Sequence, residues 1–581
     1  MKSANTSKEL YRELRALPWE QLWKDEVQRF DRAPARERFE RVSVVRAVGV
    51  VFPESGLAEQ RDEVRAWLRG LLHDPEEKIR RYAMAALPKI GAGAGDEAEL
   101  LALLRTGAGE REKKFLGRTL DKIGGEATLE ALAETGALGA QTEQKVKASV
   151  ARSRNPSAVR LDAKIADFGG LRIHLRGRTG LEEIVRDEIA AQGKFSVLEV
   201  QPGLVAIEAR APFTLSDIFA LRCFGTVGFV LGVVKSSGAS APADAFASVI
   251  ASPLSQRLFG ALTSGAIRYR LEFVAKGHQR AAVREIASRA YALCPQILND
   301  AREAPWAVDI HPAADGETVE LRPRISPDPR HAYRLDDVPA ASHPPLAACM
   351  ARLAGPQENE SVWDPFCGSG LELIERARLG GVKRVFGSDL SAEAIAIAGR
   401  NFSAAQLGAA TTRFRRCDFR DFGDLEELPP RSLTLIISNP PLGRRVPIRN
   451  LRGLFEDLFA VAANLLAPGG RLVFTNPFRM DSPEPSLKLQ SRRSVDLGGF
   501  ECRLEMYLKV ARCDARGAPG SGGRACTRRR ITSFSHASAG RKGAPAACEG
   551  GRRGRRRSMG APLSVRLASG ARDRCRGRRA R

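Results

Sequence analysis

The stretch SVWDPFCGSG at 361–370 decides the fold, because it reads as a buried apolar strand that ends in a glycine-rich turn. A helical pattern, LELIERARLG, follows at 371–380, and VKRVFGSDLS at 382–391 reads as a second strand that ends at an acidic residue. That residue, Asp389, lies 19 positions after Gly370. A strand, a glycine turn, a helix and an acidic residue at the end of the next strand are typical of a doubly wound sheet that binds a nucleotide.

The segments that follow continue the same alternation. A helix is predicted at 392–408, a strand in 412–422 and an apolar strand in 432–445. The ends of these two strands carry Asp418, Phe419, Asn439, Pro440, Pro441 and Leu442. Because the carboxyl ends of parallel strands meet at one edge of a sheet, we expect these residues to form one site there.

DPFCGSG at 364–370 and NPPL at 439–442 together resemble the S-adenosylmethionine-dependent methyltransferases that modify exocyclic amines. The resemblance implies that Asp389 binds the cofactor ribose and that Asp418 binds the adenine amino group, with Phe419 beside it. It implies a cofactor pocket formed by Asp364, Pro365, Phe366, Gly368, Gly370, Asp389, Leu390, Asp418 and Phe419, with His343 from the preceding segment. It implies a catalytic tetrad of Asn439, Pro440, Pro441 and Leu442.

The chemistry of amine methylation explains the tetrad. An aromatic amino group is a poor nucleophile because its lone pair is delocalised into the ring. Acceptors on the Asn439 side chain and the Pro440 carbonyl can bind both amino hydrogens and aim the nitrogen at the methyl group. The prolines fix the backbone of this loop, and neither a metal nor a covalent intermediate is required. Leu442 replaces the aromatic residue that is commonest in the family, so it stacks more weakly on a flipped base.

Two small α+β units are predicted before this domain, at 167–235 and 240–325, from alternating strand and helix patterns. Their order, and the segments RTGLEEIVRDEI at 178–189 and FVAKGHQRAAVREIA at 273–287, resemble the ferredoxin-like and THUMP regions of RNA-modifying enzymes. In that family the THUMP unit binds RNA. The resemblance therefore implies phosphate contacts by Lys276, His278, Arg280 and Arg284.

The first 151 residues are predicted to be helical. IRRYAMAALPKIG at 79–91 and EKKFLGRTLDKIG at 112–124 align at a spacing of 33 residues, as in a helical solenoid. The segment resembles HEAT-type repeats. Such repeats either offer a docking surface for a protein or RNA partner or cap the rest of the chain as a scaffold, and the sequence leaves both open.

The charge is concentrated at the C-terminal end. The chain has 581 residues and a net charge of +24. Residues 511–581 hold a surplus of 17 positive charges, against 7 for residues 1–510. We predict that the Arg- and Gly-rich tail at 512–581 is disordered, either as a nucleic-acid-binding arm or as the product of a shifted reading frame. A basic surplus favours a polyanionic partner, and nucleic acid is favoured over membrane.

Several classes of protein are disfavoured. The N-terminus lacks the apolar segment of a signal peptide, and the longest apolar run, Phe224–Val234, is too short and too glycine-rich to span a bilayer. The ten Cys form no CxxC pair and the seven His no HxxxH, so neither a zinc site nor a disulfide framework is expected. A cytoplasmic protein of several domains is predicted.

We therefore expect a HEAT-like all-α solenoid, an α+β ferredoxin-like and THUMP region, a Rossmann-like doubly wound α/β methyltransferase at 327–511 and a disordered tail. The predicted function is methylation of an exocyclic amine, guanine N2 of tRNA or rRNA, by S-adenosylmethionine. Adenine N6 stays open as the target. The alternatives are a DNA adenine or protein-glutamine methyltransferase, and a HEAT-based RNA-binding adaptor with an inactive methyltransferase domain.

Overall fold

The chain folds into a helical segment and two β-sheets. The computed structural model describes residues 2–91, 93–105, 109–135, 140–166, 169–235, 243–277, 279–339, 341–408, 411–426, 428–443 and 448–511. The predicted tail at 512–581 and the predicted RNA contact His278 lie outside these residues.

Residues 2–154 form the helical segment. Its helices are α1 Lys2–Ala16, α2 Trp19–Gln21, α3 Gln28–Arg32, α4 Ala35–Glu40, α5 Ser43–Ser55, α6 Arg61–Gly70, α7 Glu77–Ile90, α8 Ala94–Arg105, α9 Glu110–Ile123, α10 Glu126–Thr135 and α11 Ala140–Arg154. Helix α5 packs on α7, α7 on α9 and α9 on α11, while α6, α8 and α10 lie against these four. The two aligned sequences are therefore the neighbouring helices α7 and α9, as a repeat requires. Their assignment to HEAT-type repeats stays a prediction.

The contact between α7 and α9 follows from their apolar spacing. Ile79, Ala83 and Leu87 of α7 are buried at intervals of four residues, against Leu116 and Leu120 of α9 in the same core. The Thr119 hydroxyl donates a hydrogen bond of 2.9 Å to the Met84 carbonyl across this contact.

Residues 169–323 form the eight-stranded unit. Its strands are β2 Ile173–Arg176, β3 Phe195–Gln201, β4 Leu204–Ala209, β5 Thr226–Lys235, β7 Ile267–Phe273, β8 Ile297–Asn299, β9 Trp306–Ala313 and β10 Gly316–Pro323. Its helices are α12 Glu182–Gln192, α13 Leu215–Phe219, α14 Ala243–Ile250, α15 Pro253–Leu262 and α16 Arg280–Leu293. Two short strands, β1 Ser157–Val159 and β6 Thr263–Gly265, pair beside it.

The two predicted α+β units share this one sheet, whose strand order is β3-β4-β2-β5-β10-β9-β7-β8. Strand β5 of the first unit pairs antiparallel with β10 of the second and so joins them. The apolar run Phe224–Val234 supplies most of this central strand. No helix of the described residues is long and apolar enough to cross a membrane.

The seven-stranded domain follows at 344–509. Its strands are β11 Glu360–Asp364, β12 Val382–Asp389, β13 Thr411–Arg416, β14 Leu433–Ser438, β15 Leu466–Asn476, β16 Leu487–Asp496 and β17 Glu501–Lys509. Its helices are α17 Pro344–Ala354, α18 Leu371–Arg378, α19 Ala392–Ala404, α20 Phe422–Leu425 and α21 Leu451–Leu465.

The strand order of this domain is β13-β12-β11-β14-β15-β17-β16. Strands β11 to β15 are parallel, and β17 and β16 complete the sheet in antiparallel pairing. Apolar residues of α17, α18 and α19 pack with one face of the sheet, and those of α20 and α21 with the other. The predicted doubly wound α/β fold is confirmed.

Ion pairs connect the eight-stranded unit to the seven-stranded domain. The Glu375 carboxylate of α18 accepts two hydrogen bonds of 2.6 Å from Arg222 and one of 2.5 Å from the Tyr333 hydroxyl. Glu188 of α12 pairs with Arg352 of α17 at 2.9 Å. Each acid is buried, so each depends on its cationic partner from the other unit.

The turn before α12 also contacts the hairpin of β16 and β17. Gly180 has φ of +98°, and a Cβ there would lie 1.8 Å from the Ser494 carbonyl oxygen. Only glycine fits both requirements.

We expect Gly180→Ala to destabilise the chain more than the matched change Gly193→Ala. Gly193 also has a positive φ, +76°, but no atom lies within 4 Å of an added Cβ. Alanine at Gly193 should cost about 1–2 kcal/mol for the left-handed backbone. Alanine at Gly180 should cost at least about 2 kcal/mol more, because the Ser494 backbone must move. Chemical denaturation measures both, and equal losses would show that the contact with Ser494 contributes nothing.

Candidate active site

The carboxyl ends of four parallel strands form the candidate site. Strand β11 ends at Asp364 and β12 at Asp389, while Asp418 follows β13 and Asn439 follows β14. The sheet therefore brings the predicted cofactor and catalytic residues to one edge, as the sequence predicts.

Asp364 lies at the centre of this edge and is completely buried. Its Oδ1 accepts hydrogen bonds from the Ser438 hydroxyl, at 2.6 Å, and from the Phe366 amide, at 3.0 Å. Its Oδ2 has no partner among the described residues. Burial and the nearby carboxyl of Glu372 raise the pKa of Asp364 well above its usual value.

Glu372, in the first turn of α18, is a second buried carboxyl group. Burial raises its pKa to about 6, although a hydrogen bond with the Ser342 side chain opposes this shift. Its Oε1 has no partner in the part of the chain that the structure describes. Two buried acceptor oxygens, one on Asp364 and one on Glu372, therefore lie close to the glycine turn, and a bound cation could satisfy them.

The glycine turn is attached to the end of β12. The Gly368 amide donates to Asp389 Oδ2 at 3.1 Å, and the Cys367 amide donates to the Ser388 carbonyl at 2.9 Å. Gly370, with φ of +84°, begins α18, and a Cβ there would lie 3.3 Å from the Ala398 Cβ. The turn thus approaches β12 and α19 closely, as a loop that holds a ligand by its backbone must.

Asp389 and Leu390 form the next part of the cradle. Asp389 is half-buried, and its Oδ1 also accepts a hydrogen bond of 2.9 Å from the Ser391 amide. The Leu390 side chain is 68% exposed, which is unusual for leucine and fits a surface that a planar ligand covers. A carboxylate beside an exposed apolar side chain matches a ribose and its attached base.

Asp418 and Phe419 lie at the end of the neighbouring strand. The Asp418 carboxylate pairs with the Arg420 guanidinium at 2.9 Å, and Arg420 also pairs with Asp457. The Phe419 ring is buried, 4.9 Å from that of Phe366. The role of Asp418 toward an adenine amino group stays a prediction. In that role the Asp418 carboxylate would accept from the amino group and from Arg420 at the same time.

Asn439 is held from two sides. Its Nδ2 donates to the Ser342 hydroxyl at 2.9 Å, and its Oδ1 accepts from the Thr475 hydroxyl at 2.5 Å. Ser342 in turn hydrogen-bonds with Glu372. A carbonyl oxygen has two lone pairs, so Asn439 Oδ1 keeps one for a ligand.

The rest of the tetrad forms a partly apolar loop. Pro440 is buried, whereas Pro441 and Leu442 are half-buried. Leu442 packs against the hydrophobic core on the α21 side of the sheet, a core that includes Phe455, Phe459 and Phe474. Leucine therefore has a structural role here as well as the predicted one toward a base.

Sequence reasoning missed four residues at this site: Ser342, Glu372, Ser438 and Thr475. Ser438 and Glu372 are adjacent to quoted motifs, and their hydrogen-bonding side chains in apolar surroundings are the signal that could have identified them. Ser342 and Thr475 lie 97 and 36 positions from Asn439 and carry no such signal.

The remaining predicted residues lie away from this cluster or at its margin. His343 precedes the first residue of α17, and desolvation by the surrounding protein, with the charges of Arg178, Arg330 and Arg334, lowers its pKa to about 4. Its predicted cofactor contact stays a prediction. Lys276 pairs with Glu317 in the eight-stranded unit.

Arg280 and Arg284 are exposed one turn apart on α16, and neither has an ion-pair partner among the described residues. Their side chains are therefore accessible to a ligand. No cluster of three or more His, Cys, Asp or Glu that could hold a metal ion occurs in the described part of the chain.

Comparison with known proteins shows what the seven-stranded domain is similar to. Residues 331–490 match a family model described as UPF0020, RMKL-like, methyltransferase domain. This match agrees with the methyltransferase domain predicted at 327–511.

The individual proteins that match this chain share less than 30% of their residues with it over the aligned segments. The chain is 29% identical to a tRNA (guanine(10)-N2)-dimethyltransferase of Methanothermobacter thermautotrophicus over 145 residues, 25% of this chain and 40% of that protein. It is 26% identical to the protein of that name from Methanocaldococcus jannaschii, over 30% of this chain and 47% of that one. The chain thus spans less than half the length of these relatives. The crystal structure of TrmN from Thermus thermophilus aligns with a TM-score of 0.47 and 22% identity, over 58% of this chain and all of that one.

We expect Glu372→Gln to stabilise the chain at pH 7.5 and to leave stability unchanged at pH 4. The pKa of Glu372 is raised in the folded chain from its usual 4.5 to about 6, so the folded state binds the proton more tightly. Stability contributed by this proton is present below pH 4.5 and is lost as the pH rises through 6. Glutamine avoids that loss, which is about 2 kcal/mol at neutral pH.

Chemical denaturation at the two pH values measures the difference, with the exposed Glu130→Gln as a control. An equal effect of Glu372→Gln at both pH values would contradict a raised pKa.

Proposed function

We propose that this protein methylates an exocyclic amine of RNA, namely guanine N2 of a tRNA. The observation that carries the proposal is the Asn439 carboxamide, fixed by Ser342 and Thr475 with one acceptor lone pair free at the edge where the cofactor residues lie. The names of the relatives that match this domain point to guanine N2 and tRNA.

The cofactor residues fit S-adenosylmethionine. Asp389 offers a carboxylate for the ribose, Leu390 and Phe366 offer apolar surface for the base, and the turn at 365–370 offers backbone groups. The unpartnered oxygens of Asp364 and Glu372 lie close to that turn and fit the positive charge of the cofactor. When bound, S-adenosylmethionine supplies an electrophilic methyl group on a sulfonium.

Asn439 and Pro440 act on the substrate. Asn439 Oδ1 and the Pro440 carbonyl accept hydrogen bonds from the two amino hydrogens, which orients the nitrogen lone pair. Because the hydroxyl of Thr475 donates to the same Oδ1, the oxygen is held in place before substrate binds. Pro441 restricts the loop, and Leu442 offers an apolar surface to the flipped base.

The eight-stranded unit provides the RNA contact in this proposal. The exposed Arg280 and Arg284 are available for phosphates, and Lys276 can join them by exchanging its pair with Glu317. The THUMP resemblance of this region supports the same assignment. The ion pairs of Arg222 with Glu375 and of Arg352 with Glu188 fix this unit against the domain that carries Asn439.

We expect Asn439→Ala to lower methyl transfer to tRNA by about 10²–10³-fold without loss of cofactor binding, because an acceptor that acts in the transition state is removed. Asp389→Ala should instead abolish cofactor binding in calorimetry. Transfer of a labelled methyl group to tRNA, DNA and protein, with mass spectrometry of the nucleosides, identifies the product. Full activity of Asn439→Ala, or a product other than N2-methylated guanosine, would refute the proposal.

We expect Thr475→Val to lower kcat by about 10–100-fold, because the Asn439 carboxamide loses its orientation. Thr475→Ser keeps the hydroxyl and should restore most of the rate. Cofactor affinity should be the same in both variants, which separates positioning from a pocket defect. If serine and valine reduced kcat equally, the hydroxyl would have no such role.

A further inference from the structure

One side of helix α9 carries four exposed cations, and the exposed acid of this helix, Glu110, lies one turn before Lys114 and pairs with Lys113. Arg111, Lys114, Arg118 and Lys122 are all exposed, and their spacing of three to four residues places them on one side of the helix. None of the four forms an ion pair among the described residues. We call this set the α9 ridge.

The pattern continues on the helices that pack beside α9. At the same positions 33 residues earlier, α7 carries Lys78, Arg81 and Lys89, and Arg46 of α5 lies next to Lys89. Partial burial, with the charges of Lys122 and Arg46, lowers the pKa of Lys89. Cations of three successive helices therefore lie close enough to repel each other.

Each acid of α7 and α9 pairs with a cation outside the ridge. Arg80 of α7 pairs with Glu112 of α9 between the helices, and Lys145 of α11 pairs with the buried Asp121. Within single helices, Glu77 pairs with Arg81 on α7 and Glu110 pairs with Lys113 on α9. Like charges one turn apart destabilise a helix by about 0.2–0.5 kcal/mol per pair, so the ridge costs stability unless an anion binds it.

We propose that the α9 ridge binds the phosphate backbone of the RNA substrate. This inference rests on the proposed function, because it gives the same RNA a second contact surface. The ridge extends over twelve residues, about 16 Å along the helix, which is long enough to follow several phosphates. Arg118 of the ridge and the half-buried Arg81 both lie over the Phe115 ring, 5.7 and 5.4 Å from its centre, which restricts both guanidinium groups.

The ridge leads toward the eight-stranded unit. The Arg302 guanidinium donates a hydrogen bond of 2.9 Å to the Asp121 carbonyl, next to Lys122 at the end of the ridge. Arg302 is itself exposed. One RNA can therefore contact both the ridge and the eight-stranded unit by way of Arg302.

The test compares two full-length variants that each lose four exposed cations. The ridge variant carries Arg111→Gln, Lys114→Gln, Arg118→Gln and Lys122→Gln. The control carries Lys24→Gln, Arg29→Gln, Arg32→Gln and Arg36→Gln, in a region of the same helical segment where cations and acids alternate. Binding of fluorescently labelled unfractionated tRNA is measured between 50 and 300 mM salt, without cofactor, after circular dichroism has verified folding.

We expect the ridge variant to bind tRNA at least about tenfold more weakly near 100 mM salt, and the slope of log Kd against log salt to fall by about 2–4. The control should change the slope by less than about 1. A charge-retaining variant, Arg111→Lys with Arg118→Lys, should bind like the original chain. The pair Arg46→Gln and Lys89→Gln gives an independent and smaller loss if the fourfold variant fails to fold.

Equal tRNA binding by the ridge variant and the control would overturn the inference. It would also be overturned if the ridge variant kept its affinity for tRNA but lost binding to polyglutamate, because the ridge would then recognise acidic protein. Loss of tRNA binding in a chain that methylates no RNA would leave the ridge standing and refute the proposed function alone.

Discussion

The hydrogen bond from Ser438 to Asp364 joins the ends of the two central strands of the parallel sheet, and the rest of the site is arranged around it. A carboxyl group without solvent access needs a partner, and Ser438 supplies one from the neighbouring strand β14. The glycine turn leaves β11 directly after Asp364, and the tetrad leaves β14 directly after Ser438. One buried contact therefore fixes the cofactor side and the substrate side of the site relative to each other.

Asn439 shows how strongly this arrangement depends on tertiary structure. Its two hydrogen-bond partners come from the segment before α17 and from the end of β15. A free asparagine side chain can rotate, and a rotated carboxamide would present a donor where an acceptor is needed. The orientation that suits an amine is thus a property of three chain segments together, and Glu372 extends it into the buried centre through Ser342.

The sequence predicted the parts of the fold whose signal is local. The strand, glycine turn, helix and acidic residue from 361 to 391 lie where they were expected, because apolar periodicity and glycine positions are written in consecutive residues. Strand β5, by contrast, is evident in the sequence only as an apolar run interrupted by glycines. The structure explains Gly228 in it, since an added Cβ would lie 2.3 Å from the Glu320 carboxylate on β10. Such a constraint arises from a residue almost a hundred positions away and has no local signal.

The link between the two sheets has a consequence for binding equilibria. Helix α18 begins at the glycine turn, and one turn later its Glu375 is held by Arg222 and Tyr333 from outside the seven-stranded domain. A ligand that shifts the eight-stranded unit therefore pulls on the helix whose first residues complete the cofactor cradle. Thermodynamic linkage makes such an effect mutual: if RNA tightens the binding of cofactor through α18, cofactor must tighten the binding of RNA by the same factor.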